Sequence, residues 1–102
     1  MSEIADAVML PMNFKPEPGW IGIFTRDQAP GAIPNGTKIV KAVREAGDTH
    51  DVGARGTVLG SYKSPGGLPG ALARIKYWYF IEWDDNPKAA VGTVDFKVAI
   101  LQ

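Results

Sequence analysis

A small all-β domain is what this sequence predicts, on three observations. The run 76–85, Lys-Tyr-Trp-Tyr-Phe-Ile-Glu-Trp-Asp-Asp, holds five of the chain's ten aromatic residues, and aromatic and β-branched side chains favour a pleated, packed surface. Twelve glycines and eight prolines in 102 residues divide the chain into short elements joined by turns, which suits strands better than a helix bundle. Several further apolar runs, each bounded by turn residues, provide neighbours for the aromatic one.

Run 76–85 is the expected central strand. Alternation puts Tyr77, Tyr79, Ile81 and Trp83 on one face and Trp78, Phe80 and Glu82 on the other, so both faces carry apolar surface to cover. Before it, 19–26 reads as a strand with two apolar faces, Trp20, Gly22 and Phe24 against Ile21, Ile23 and Thr25. Residues 27–36 form a loop with Ala-Pro-Gly and Pro-Asn-Gly turn signals. A strand at 37–43, a charged loop at 44–52 and a strand at 53–62 follow; Gly56 and Gly60 suit a bulge or bend. The loop 63–74 is rich in glycine and proline, with one helical turn at 71–74. Asp84-Asp85-Asn86-Pro87 predicts a tight turn, 89–94 a returning strand, 95–97 a single turn and 98–101 a last strand.

Residues 1–18 are expected to be a flexible arm and 19–102 the domain. In the arm, Ser2 caps a short helical turn through Ile4, Ala7 and Val8 that Pro11 stops, and 14–18 is extended. The alternative is that Met9, Leu10, Met12 and Phe14 cover an open end of the domain or a partner chain.

Composition narrows function mostly by exclusion. Apolar residues at 45% and charged residues at 22% suffice for one folded core. Eleven basic and eleven acidic residues cancel, which removes the long-range field that draws proteins onto nucleic acid or anionic lipid. With no cysteine, disulfides, thiolate zinc sites and thiol nucleophiles are excluded. No apolar run approaches the ~20 residues of a membrane span, so the cytoplasm is the expected setting. No catalytic residue, cofactor or metal is assigned. The set Asp48, His50 and Asp51 matches no ligand spacing, and His50 reads as a solvated loop residue. Gly66-Gly-Leu-Pro-Gly70 lacks the lysine and hydroxyl of a phosphate loop, and no histidine is placed for a triad.

The order of elements resembles an SH3-like five-stranded barrel, here with an added N-terminal strand. Asn35-Gly-Thr-Lys-Ile-Val and Gly53-Ala-Arg-Gly-Thr-Val58 are similar to a KOW-type opening, and Tyr79-Phe-Ile-Glu-Trp-Asp-Asp85 looks like the third strand and hairpin of Tudor and KOW barrels. The segment 92–101 is similar to the closing segment of the type II plasmid-encoded dihydrofolate reductases. Their pore-lining glutamine and tyrosine are absent at Val94, Asp95 and Phe96 and their neighbours. The β-subunit barrel of nitrile hydratase is a further likeness, and it implies a subunit-contact role.

In such barrels, partners settle on exposed aromatics beside the long loops. The resemblance therefore implies a ligand- or partner-binding set of Tyr62, Trp78 and Phe80 with an acidic rim of Glu82, Asp84 and Asp85. Trp20, Ile21, Ile23 and Phe24 are the expected interface, because a strand with two apolar faces is either sandwiched or lies between subunits. The leading expectation is thus a non-enzymatic protein-binding or self-assembly module. The alternative is RNA or ribosome binding through Lys38, Lys41, Arg44, Arg55, Lys63, Arg74 and Lys76. A pore-forming enzyme of the type II reductase kind stands third.

Overall fold

The computed structural model describes residues 15–65 and 69–102. The strands are β1 (Lys15–Pro16), β2 (Ile23–Phe24), β3 (Lys38–Lys41), β4 (Arg55–Lys63), β5 (Tyr77–Trp83), β6 (Val91–Val94) and β7 (Val98–Ile100). Two 3-10 turns lie at Gly70–Arg74 and Asp95–Lys97. The fold is all-β: a five-stranded antiparallel sheet in the order β6-β5-β4-β3-β7, and a separate ribbon of β1 and β2. β6 and β7 are the two edges of the sheet and do not pair with each other, so the strands do not close a barrel. Among the described residues, no helix is long and apolar enough to cross a membrane. The expected Ser2 cap, the turn through Ile4, Ala7 and Val8, and any contact of Met9, Leu10, Met12 and Phe14 lie outside the described residues, as do Gly66, Gly67 and Leu68.

β4 and β5 form the centre, paired from Gly56–Trp83 to Lys63–Tyr77 with a register shift between Val58 and Gly60. That shift lets β4 bury residues on both faces. On one side Ile39, Val58, Tyr79, Ile81, Trp83 and Val98 make the main core together with Ala29 and Ala32 of the loop 27–36. On the other, Leu59, Phe80 and Phe24 form a second cluster with Trp20, Tyr62 and Ala90 against it. The alternation of β5 assigns its side chains to these two clusters. Each large buried apolar side chain contributes about 1.5–3 kcal/mol relative to exposure.

The segment 23–29 runs across β4 at very close range. A Cβ on Gly60 would overlap the carbonyl of Thr25, so glycine is required by approach and not by dihedral angle. Ser61 N–H donates to the Asp27 carbonyl at 2.8 Å, and the Ser61 hydroxyl accepts from Ala29 N–H at 3.0 Å. The loop 27–36 then caps the main core. The hydroxyl of Tyr79 accepts from Ile33 N–H at 3.0 Å, and that of Tyr77 donates to the Pro30 carbonyl at 2.9 Å. Burial pushes the Tyr79 phenol above its ordinary pKa.

Several boundaries differ from the sequence-based expectation. The strand expected at 19–26 is interrupted at Gly22, whose φ of 95° belongs to the left-handed region. Only Ile23–Phe24 remains, paired with β1 and not added to the main sheet. Residues 15–16, within the expected arm, are β1 itself. The returning strand starts at Val91 because Ala89 is diverted into a parallel bridge with Ile21. β3 ends at Lys41, where Ala42 and Val43 N–H turn to the Lys97 carbonyl.

Gly60→Ala is expected to destabilise the protein by about 3 kcal/mol through overlap with backbone that has no alternative path. Gly92→Ala, with open space around its position, is expected to stay within ~0.5 kcal/mol. Urea denaturation of the two variants beside wild type checks the difference; equal midpoints would remove the close crossing as a constraint.

Candidate functional site

Five rings run in contact across the second face of the sheet. Trp20 and Phe24 lie 5.3 Å apart between centroids, Phe24 and Phe80 6.3 Å, Phe80 and Tyr62 6.0 Å, and Tyr62 and Trp78 6.3 Å with planes only 8° apart. Tyr62, Trp78 and Trp20 are half-buried, whereas Phe80 and Phe24 are buried. At the Trp20 end the guanidinium of Arg26 sits 5.1 Å from both the Trp20 and Phe24 rings, and the Lys88 ammonium lies 4.9 Å from Trp20. Glu17 grips Arg26 with two bonds of 2.9 and 2.7 Å, and that grip holds the Glu17 carboxyl below the usual carboxylate range.

The structure divides the expected partner-binding set. Tyr62 and Trp78 come together as a stacked pair, but Phe80 is buried beneath them. Asp84 and Asp85 follow the far end of β5, roughly 20 Å along the strand from Trp78 at ~3.3 Å per residue, so they do not rim the pair. Glu82 accepts from Lys88 N–H at 2.9 Å inside the hairpin. The expected interface also divides. Phe24 belongs to the second core, because it is the residue of β2 that faces the sheet and packs on Leu59 and Phe80, and it offers a partner no surface. Ile21 and Ile23 are 69% and 60% exposed, the first and third most exposed large hydrophobic residues among those described. Trp20 lies at their margin under its two cations.

The loop 42–54 is fastened by charge. Lys41 is only 4% exposed and reaches Asp48 at 3.2 Å and the His50 carbonyl at 3.1 Å. Lys97 joins Asp48 at 2.8 Å and Glu45 at 3.3 Å, and Arg74 joins Glu45 at 3.1 Å. The Glu45 amide, then the Lys97 and Lys41 ammonium groups, hold the Asp48 carboxyl well below its ordinary pKa, and Asp48 followed by Glu45 raises that of Lys97. His50 is not solvated as expected. Its side chain is 12% exposed, its ring stacks on Trp83 at 4.5 Å, Nε2 bonds Asp85 at 3.0 Å and Nδ1 bonds Thr49 Oγ1 at 2.9 Å. With both nitrogens and one ring face engaged, the imidazole ties this loop to the β5–β6 hairpin. Asp48 and Asp51 are drawn away to Lys97 and to Arg44 at 3.0 Å, so the imagined metal set does not converge.

The basic residues of the nucleic-acid alternative are scattered in role. Lys41 is buried, Arg44 and Arg74 are ion-paired, and Lys38 bonds the Thr57 hydroxyl at 2.7 Å across β3 and β4. Arg55, Lys63 and Lys76 are exposed. Sequence reasoning missed Arg26, Glu45, Asp48, Lys88 and Lys97 as organising residues. Lys97 meets Asp48 and Lys88 meets Trp20 from opposite halves of the chain, and even the nearer pair Arg26 and Glu17 belongs to different elements, so local pattern carries no signal of the pairing. Comparison with protein-family models, with curated proteins and with solved structures gave no match.

Asp48 binds its proton more weakly folded than unfolded. Its stabilising contribution is complete above the ordinary carboxylate pKa of about 4 and is lost as pH falls below that value toward the depressed folded one. Asp48→Asn is therefore expected to flatten the acid limb of stability, with the wild-type and variant curves converging as pH drops. Urea midpoints collected from about pH 7 to about pH 3 test this; parallel curves would show that Asp48 is not held by its cations.

Proposed function

We propose that the chain is a non-enzymatic assembly module of the cytoplasm that associates with a second copy of itself through the β1–β2 ribbon. The strand order and the single 3-10 turn between β6 and β7 support reading its sheet as an SH3-like barrel open at one seam. The observation that carries the proposal is the exposed pair Ile21 and Ile23 beside a ribbon of two residues per strand. A ribbon that short is not stable without cover. One side already rests on the sheet through Phe24. The aliphatic side and the outer edge of β1 have no strand partner among the described residues. A symmetric contact would bury both isoleucines against their own copies, which is the self-complementary arrangement of a two-fold dimer.

The nucleic-acid alternative draws less support, because local carboxylates neutralise Arg44 and Arg74 and burial removes Lys41. The reductase-like reading draws least. Val94 is buried, Asp95 Oδ2 accepts from the Lys76 and Tyr77 amides at 3.0 and 3.2 Å, and Phe96 is covered by Arg74.

Light scattering after size exclusion, run over a concentration series, tests the proposal. Wild type is expected to exceed the monomer mass, and a variant carrying Ile21→Asp and Ile23→Asp to fall to it. Folded stability should change by no more than ~0.5 kcal/mol per exposed site. A monomeric wild type at every concentration would sink the proposal.

A further inference from the structure

We infer that the cleft between the loop 42–54 and the two 3-10 turns docks a peptide segment in which an acidic side chain stands next to an apolar one. Leu72, Ile75, Val94 and Phe96 supply its apolar lining, and Glu45, Arg74 and Lys97 its charged lining. Its volume of about 190 Å³ falls below that of a typical small-molecule site and suits one or two side chains. Ile75 and Val94 are buried beneath, while Leu72 keeps 45% of its surface exposed. None of these residues belongs to the β1–β2 ribbon, so this inference stands apart from self-association.

Charge selects the partner. Lys41, Asp48, Lys97, Glu45 and Arg74 form a chain of alternating sign, each joined to the next by an ion pair of 2.8–3.3 Å. Three cations thus share two carboxylates. Lys41 and Lys97 are enclosed by theirs, with side chains 4% and 14% exposed, whereas Arg74 at the outer end is 55% exposed. The surplus positive charge therefore lies at Arg74. Its guanidinium is 4.0 Å from the Phe96 ring centroid and is held by Glu45 through one amino group, which fixes the plane and leaves further N–H donors of the fork to a ligand. A carboxylate there continues the alternation, and an adjacent apolar side chain meets Leu72. Glu45 on the same rim opposes a polyanion, which favours a single carboxylate.

The experiment is an amide NMR titration of the full chain with acetyl-leucyl-glutamyl-leucinamide and, separately, with its glutaminyl counterpart. The glutamyl peptide is expected to give saturable shifts at Leu72, Arg74 and Phe96 with a dissociation constant of about 1–10 mM, as befits a small ligand. The glutaminyl peptide should bind at least about five-fold more weakly, since a charge-assisted bond becomes a neutral one. Arg74→Lys, which keeps the charge but loses the flat fork, should weaken the glutamyl peptide by about the same factor, with the spectrum itself reporting that the variant is folded. Absence of saturable shifts, equal affinity for the two peptides, or unchanged affinity in Arg74→Lys would overturn the inference. So would shifts at these residues that follow protein concentration without peptide, which would place a second copy in the cleft.

Discussion

The approach of the Thr25 backbone to Gly60 is the constraint on which the rest of this structure depends. Because β4 has no side chain there, the segment 23–29 can lie flat on the sheet. That position brings Phe24 onto Phe80 and Leu59, and delivers Ala29 and Ala32 to the main core. The Ser61 amide and hydroxyl then secure the crossing. One missing methyl group thus allows a five-stranded sheet to have both faces covered by its own chain. Without the crossing, Phe80 and Leu59 would lose the cover of Phe24, and the cap over Tyr77 and Tyr79 would lose its attachment to Ser61.

A second organising principle is electrostatic and acts on the other long loop. Ion pairs on exposed surfaces contribute little, and a buried charge is costly unless it is partnered. Lys41 is the buried member here, and its two acceptors, Asp48 and the His50 carbonyl, both belong to the loop 42–54. The loop conformation is therefore the one that satisfies an ammonium group in the sheet. His50 completes the arrangement by laying its ring on Trp83. Main-core aromatic surface is thus covered by a polar loop in a conformation that charge dictates.

Period-two patterning made the central strand legible. The faces of β5, the turn at 84–87, the 3-10 turn at 95–97 and the irregularity of β4 beside Gly60 all follow from residues that act on their immediate neighbours, whereas the crossing of Thr25 over Gly60 does not. The missed features share the opposite property. Gly22 looked like a small residue within a strand, and only its left-handed φ, beside the Ala90 carbonyl, shows it as a break. Ordinary alternation then separates the fates of the two residues that follow the break, Ile23 exposed and Phe24 buried, although both were expected in one interface. His50 looked solvated because its partners, Trp83 and Asp85, come from a hairpin more than thirty positions away. The acidic residues expected around Trp78 fail as a rim for a simpler reason: a strand separates its two ends by its own length.

The edge position of β7 also bears on how the protein folds. β3 pairs with β4 on one side and with β7 on the other, Ile39 facing Gly56 and Ile100 respectively. The first of these contacts closes over the loop 42–54; the second spans more than half of the chain. The β3–β4–β5 meander therefore forms through nearer contacts than those of β7, and until β7 docks the free edge of β3 is an open template for other strands. Long-range antiparallel topologies fold slowly, in roughly milliseconds to seconds. Lys38, the exposed residue of β3, puts charge beside that edge, and such a residue discourages the wrong strand from arriving first.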